Sequence, residues 1–344
     1  MLTIGELQAV YDKNRRIYSA TIELCSTCNW NCKYCYLESH NEKGLPTYMV
    51  KDVLMQLREL GCFDLTFTGG EIFTRCDVME LIQCARQLGF SVTLMTNLSM
   101  VDYKILDQIK KLNVERIECS LFSLNPFVHD DFVESDGSFV KLYDNLFYCK
   151  KIGIEVMIAF HPLTINRDEL LHDIEFVREF GFLAKYDCRV LPKNNCDKST
   201  LKYCLSDKEL VDALRVVDKE MGVEYLNKLN EYICESTHTN VVITPVGDVK
   251  LCSLLGIVIG NIKEKKIREI LSDPRKTKEI DMIRETKWGD LKKECRECKE
   301  KKFCIRCPAI NLLEREDFFG PSEINCVYAK ARKGVEELNE KNIL

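Results

Sequence analysis

From residue 18 to residue 191, short runs of β-branched and aliphatic residues alternate with segments in which apolar residues return every three or four positions. The runs fit strands of a covered sheet, and the spaced segments fit helices with one apolar stripe. Six strands are predicted, over 18–24, 64–68, 91–96, 116–121, 155–160 and 183–191. Val50, Val53, Leu54 and Leu57 form one helical face, and Asp77 with Glu80 predicts a capping box. Asn166 with Glu169 opens a helix carrying Leu170, Ile174 and Val177, which Gly181 can close. Six successive βα units with no hairpin between them predict an α/β fold. The parallel sheet would curl into a partial (β/α)6 TIM-like barrel, with ligands at the C-terminal ends of its strands.

The 344 residues leave room for about two domains. A net charge of -5 argues against a polyanion, so nucleic acid is excluded as the main partner. The longest apolar run, over 254–259, falls far short of a bilayer span and is broken by Gly256; the first residues lack the apolar core of a secretory signal. A cytoplasmic location without a membrane partner is the expectation. In a compartment that keeps thiols reduced, 19 cysteines point to metal or redox chemistry more than to disulfides.

Directly after the first strand, Cys28, Cys32 and Cys35 follow the spacing C-x3-C-x2-C. Three thiolates this close can hold three irons of a 4Fe-4S cubane and leave the fourth iron open. With Cys25, four thiols would also suit tetrahedral zinc, although Cys25 reads as a strand-end core residue more than as a fourth ligand. One βα unit later comes Gly69-Gly70-Glu71: the glycines permit backbone close to a ligand, and Glu71 can accept from a charged amine. Asn97 and Ser120 stand at the ends of strands three and four. With the aromatic Tyr34 just before the third cysteine, the pattern resembles the radical S-adenosylmethionine (radical SAM) superfamily. The resemblance implies that Cys28, Cys32 and Cys35 bind the catalytic cluster and that Tyr34 lies near the adenine. It implies further that Gly69, Gly70 and Glu71 meet the methionyl amine, and that Asn97 and Ser120 touch the ribose or carboxylate. An electron from a flavodoxin- or ferredoxin-type reductant would then cleave the sulfonium, giving a 5'-deoxyadenosyl radical that abstracts hydrogen from an unactivated carbon.

The C-terminal third carries Cys234, Gly247 separated by four residues from Cys252, then Cys295-x2-Cys298-x5-Cys304-x2-Cys307 and Cys326. This resembles the seven-cysteine SPASM extension. It divides the chain into an N-terminal segment (1–17), the barrel (18–225), an Fe-S-binding SPASM domain (226–332) and a C-terminal tail (333–344). By position, the resemblance implies that Cys295, Cys298, Cys304 and Cys326 ligate one auxiliary 4Fe-4S cluster. Cys234, Cys252 and Cys307 would hold a second with one site unfilled, open to a substrate thiolate or to Cys196 or Cys204. The family pattern has three residues before its sixth cysteine where this chain has two, which would displace Cys307. Cys295 to Cys307 taken alone would also read as a zinc ribbon.

Most SPASM members act on a ribosomally made precursor peptide. Ser253 stands where sulfatase-maturing relatives carry a basic Asp, which disfavours formylglycine formation and favours thioether or other side-chain crosslinking. Peptide epimerisation, oxidation of a small cofactor precursor and, in another class, a non-catalytic iron-sulfur electron carrier are the alternatives. Only seventeen residues precede the first strand, so leader recognition is expected from a separate leader-binding protein or from an exposed strand edge. His161 reads as a structural residue near the ligand end, and Cys62, Cys76, Cys84, Cys119, Cys149 and Cys188 as packing residues.

Overall fold

The computed structural model describes residues 3–14, 16–223, 232–315 and 317–341. Nine strands among them share one sheet: β1 (Ser19–Glu23), β2 (Asp64–Thr68), β3 (Ser91–Met95), β4 (Arg116–Leu121), β5 (Val156–Phe160), β6 (Leu183–Tyr186), β7 (Asn240–Ile243), β8 (Asp248–Lys250) and β9 (Gly260–Asn261). Their order is β6-β5-β4-β3-β2-β1-β7-β8-β9. Strands β1 to β6 pair in parallel with their sequence neighbours, as six βα units demand. β6 stops short of the predicted 191. The Asp187 carboxylate accepts from the Arg189 N–H at 2.9 Å, turning the chain out of the sheet.

The strands alternate more cleanly than a doubly covered sheet requires. Ala20 and Ile22, Leu65 and Phe67, and Ile117, Cys119 and Leu121 are buried under the helices. On the other face Thr21, Thr66 and Thr93 stand in register across β1, β2 and β3. A closed barrel fills its interior with branched apolar side chains; this inner layer of hydroxyls leaves a wettable space.

The helix Thr47–Glu59 buries Val50, Val53, Leu54 and Leu57, as its spacing predicts. The capping box predicted at Asp77 and Glu80 does not form. Asp77 instead accepts from Arg75 at 2.9 and 2.7 Å and from Thr47 at 2.5 Å, and Glu80 pairs with Lys51. The amide of Asn166 likewise opens no helix: it donates to the Phe122 and His161 carbonyls at 2.5 and 2.9 Å, tying together the loops after β4 and β5. The helix there is Leu170–Phe180, closed by Gly181 at φ +62°.

The C-terminal region is not set apart from the barrel. β7 lies parallel to β1, pairing Ser19 with Asn240 through Ile22 with Ile243, so the antiparallel β7-β8-β9 ribbon extends the barrel's own sheet. Gly247 makes the β7-β8 turn at φ +94°, where a Cβ would meet the Asn261 side chain at 3.0 Å. The boundary expected at 225/226 lies outside the described residues. The tail expected from 333 continues the helix Glu323–Lys341, which packs on the helix Asp207–Glu220. There Arg332 and Asp218 form a buried bidentate pair at 2.8 and 3.0 Å. Among the described residues no helix is long and apolar enough to cross a membrane.

Asp173, in the helix Leu170–Phe180, is buried with one carboxylate oxygen unpartnered. Burial first, and Glu169 second, push its carboxyl up to about 8. The folded chain therefore holds a proton that the unfolded chain releases near an ordinary aspartate value of about 4. Asp173 thus contributes stability at low pH that is lost as pH rises toward about 8, at up to about 1.4 kcal/mol per pH unit. Thermal unfolding across that range should show a falling midpoint for the parent, and a flatter one for Asp173→Asn with the variant more stable at the alkaline end. Parallel curves would contradict this.

Candidate active site

One cavity of about 510 Å3 lies at the C-terminal strand ends, and its lining runs from Thr21 of β1 to Lys185 of β6. In a flat sheet these strands would stand about 24 Å apart. A cavity touching both requires the sheet to curl, so the partial barrel is present and open on one side.

Cys28, Cys32 and Cys35 line this cavity together with Tyr34. Their loop is anchored from two directions. On one side, Asn97 Nδ2 donates to Asn29 Oδ1 at 2.8 Å, and Asn29 Nδ2 donates to Ser99 Oγ at 2.9 Å. On the other, the loop backbone docks on the helix Pro126–Val133: Asn31 and Lys33 donate from N to the Val133 and Phe132 carbonyls at 2.9 and 3.1 Å. Lys33 also pairs with Asp131 at 2.7 Å. Tyr34 is wedged among Phe122, Phe132 and His161, with ring centroids 5.3 to 5.5 Å away. Cys25 is buried, its thiol donating to the Glu71 carbonyl at 3.4 Å.

Burial pushes the Cys28 thiol up to about 11 and the Cys32 and Cys35 thiols upward as well. Ionising three such neighbours requires a compensating cation, which iron supplies. The donor set therefore fits a cluster ligated by three thiolates.

Gly69 and Gly70 line the cavity and pack against the cysteine loop. A Cβ on Gly69 would lie 2.3 Å from the Cys25 carbonyl oxygen, and one on Gly70 2.4 Å from those of Ser26 and Thr27. No larger residue fits. Glu71 is held by protein donors at the base of this turn. Its carboxylate is fully buried and accepts from the backbone N–H of Phe73 at 2.9 Å and of Asn97 at 2.7 Å, and from the Thr96 hydroxyl at 2.8 Å. Those bonds tie the end of β2 to the end of β3. Asn97 lines the cavity with its amide committed to Asn29 and Ser99, and Ser120 lines it from β4.

The C-terminal cysteines fall into two groups. The charges of Cys307 and Cys234 both act on the Cys252 thiol, and that of Cys234 on Cys307, which marks these three as neighbours. Cys326 acts in the same way on Cys295 and on Cys298. Cys196 is exposed on a turn, and Cys204 is part-buried beside Tyr328. Of the packing cysteines, Cys62, Cys119, Cys149 and Cys188 are buried, Cys84 is half-buried, and Cys76 is exposed.

Charged residues facing the cavity were not legible as site residues. Glu118 of β4 pairs with Lys185 of β6 at 2.6 Å across the intervening strand, and Asp187 holds Arg189 in a fork. His161 joins them, its Nδ1 3.2 Å from the Asp187 carbonyl and its pKa lowered by burial. A signal existed: a charge at an inner position of a parallel strand is out of place unless a cavity lies there.

The radical SAM superfamily profile matches residues 22–177, and the SPASM profile, described as an iron-sulfur cluster-binding domain, matches 234–299. The AdoMet-dependent heme synthase of Methanosarcina barkeri is 24% identical over 343 residues, spanning 90% of this chain and 96% of that protein. The subtilosin biosynthesis protein AlbA of Bacillus subtilis is 27% identical over 271 residues, 74% of this chain and 59% of AlbA. Among solved structures, Streptococcus suis SuiB bound to precursor peptide SuiA superposes with TM-score 0.71 at 16% identity, covering 93% of this chain and 78% of SuiB. The enzyme anSMEcpe with bound AdoMet and a peptide superposes with TM-score 0.71 at 17% identity, covering 95% and 99%. The chain carries a radical SAM domain followed by a SPASM domain. It is a radical SAM enzyme with a SPASM domain, and S-adenosylmethionine and 4Fe-4S clusters are its cofactors.

Glu71→Gln would set an NH2 group against backbone donors that now meet a carboxylate. Losing a buried charged acceptor costs about 1–3 kcal/mol. Asn97 and the cysteine loop would shift, and S-adenosylmethionine affinity of the reconstituted protein, measured by equilibrium dialysis, should fall by about tenfold or more. Unchanged affinity would refute the strut.

Proposed function

We propose that this enzyme modifies a ribosomally made peptide, forming a thioether or another side-chain crosslink. The observation that carries the reading is the composition of the cavity wall. Cys28, Cys32, Cys35 and the glycine turn form one side; Ser253, Leu254 and Ile310, which flank Cys252 and Cys307 in the chain, form the other. A substrate there would lie between the catalytic cysteines and the group of Cys234, Cys252 and Cys307, whose three thiols leave a position for a substrate thiolate.

S-adenosylmethionine on its cluster would supply the hydrogen-abstracting radical. The protein's share is positioning and the exclusion of water. Gly69 and Gly70 let backbone approach the ligand, Tyr34, Trp30 and Phe122 supply apolar wall, and Asn97 and Ser120 add polar contacts. Abstraction leaves a carbon radical; bond formation to the thiolate sulfur releases one electron, which the auxiliary cysteine sites would carry away. Cys295, Cys298, Cys304 and Cys326 would hold the second auxiliary cluster. We place the enzyme in the cytoplasm, with a flavodoxin- or ferredoxin-type reductant and a separate leader-binding protein as partners. SuiB with its precursor peptide and AlbA of subtilosin biosynthesis support a peptide substrate. A second reading, modification of a small cofactor precursor, is favoured by the heme synthase likeness along nearly the whole of both chains.

Anaerobic reconstitution should give about twelve irons per chain for three clusters. With dithionite and S-adenosylmethionine the enzyme should release 5'-deoxyadenosine, and Ala at Cys28, Cys32 or Cys35 should abolish this. Cys298→Ala should retain uncoupled cleavage but lose product. A peptide co-expressed with the enzyme should become lighter by two hydrogen atoms on crosslinking, seen by mass spectrometry; unchanged mass with inverted residues would mean epimerisation instead. Wild-type turnover in Cys32→Ala would overturn the assignment.

A further inference from the structure

Arg306 stands between Cys304 and Cys307 in the chain and is 8% exposed. Its Nη2 donates to the Phe318 carbonyl at 2.6 Å and its Nη1 to the Cys295 sulfur at 3.4 Å. Its Nε is buried with no hydrogen-bond partner. Among the described residues no carboxylate forms an ion pair with it. The other enclosed guanidiniums are matched differently: Arg332 by Asp218, Arg75 by Asp77, and Arg189 by Asp187.

A buried cation without an anion is strongly unfavourable. The negative charge within its reach is the Cys295 sulfur, and only as a thiolate. A neutral thiol would leave the guanidinium uncompensated, whereas a metal-bound thiolate would balance it. Glu300, the acid beside Cys298, is already engaged by Lys333 at 3.3 Å. At the other auxiliary group the nearby guanidinium, Arg189, is neutralised by Asp187, so an unbalanced positive charge marks one of the two sites.

We propose that Arg306 is the built-in counter-charge of the cluster held by Cys295, Cys298, Cys304 and Cys326, a positioning residue that raises that cluster's reduction potential. Reduction by one electron adds one negative charge to the cluster. A fixed cation hydrogen-bonded to a ligand sulfur stabilises the reduced form more than the oxidised form, so the potential moves up. A cluster poised in this way is suited to accept the electron released when the substrate radical is captured. The inference rests on the reading of these four cysteines as cluster ligands.

The test uses the full chain with Cys28, Cys32 and Cys35 replaced by Ala, reconstituted with iron and sulfide so that only auxiliary clusters remain. Dithionite titration followed by electron paramagnetic resonance gives their midpoint potentials. In Arg306→Gln one midpoint should move to more negative potential while the other stays, and the moving signal should be the one that Cys298→Ala removes. Arg306→Lys, which keeps the charge, should hold iron and lie close to the parent. If Arg306→Gln loses about four irons while Arg306→Lys keeps them, the charge requirement is upheld. Unchanged midpoints in Arg306→Gln at full iron content, or equal iron loss in both variants, overturn the proposal, the latter by reducing Arg306 to packing. No iron in the starting chain would instead overturn the ligand reading beneath it.

Discussion

Because β2 and β3 end side by side, the carboxylate of Glu71 can accept at once from the backbone of Phe73 and from that of Asn97, and the mouth of the barrel takes its shape from this. Asn97 is thereby held where its amide reaches Asn29, between Cys28 and Cys32. A buried carboxylate surrounded by donors is stable only while all of them stay in place. The cysteine loop, which has no regular structure of its own, thus inherits the rigidity of the sheet. The two glycines before Glu71 are part of the same constraint, since the carbonyls of Cys25, Ser26 and Thr27 occupy the space a side chain would need.

The second constraint is the pairing of β7 with β1. It makes the C-terminal region a continuation of the sheet, so Cys252, beyond β8, is placed by the same ladder that places Cys28 beyond β1. Helices complete the attachment at both ends of the chain: Asp12 meets His238 at 2.8 Å, and Arg332 meets Asp218. One cavity is thereby lined both by Cys28, Cys32 and Cys35 and by Ser253 and Leu254, which follow Cys252 in the chain. Electron movement between such sites depends on distance, and a shared sheet keeps distance constant.

Much of this was legible residue by residue. The helix stripe at Val50, Val53, Leu54 and Leu57 and the αL closure at Gly181 are local patterns, decided within a turn or two of chain. Asp77 and Asn166 carry equally plausible capping signatures, yet each side chain found partners from distant segments, Arg75 and Thr47 in one case and the Phe122 carbonyl in the other. Short polar side chains bond whatever comes within reach, and only packing decides what does. Glu71 shows the same: its place in the motif was visible, its bonds to Phe73, Thr96 and Asn97 were not.

The amino-acid sequence alone determined the βα order, the family and the grouping of cysteines by spacing, because periodicity and short motifs are written within a few residues. The tertiary structure alone decided that β7 joins β1, that Glu118 finds Lys185 across a strand, and that Arg306 lies buried against Cys295. These contacts join residues separated by loops of arbitrary length. Their energies come from burial and charge compensation in three dimensions, which no local pattern encodes.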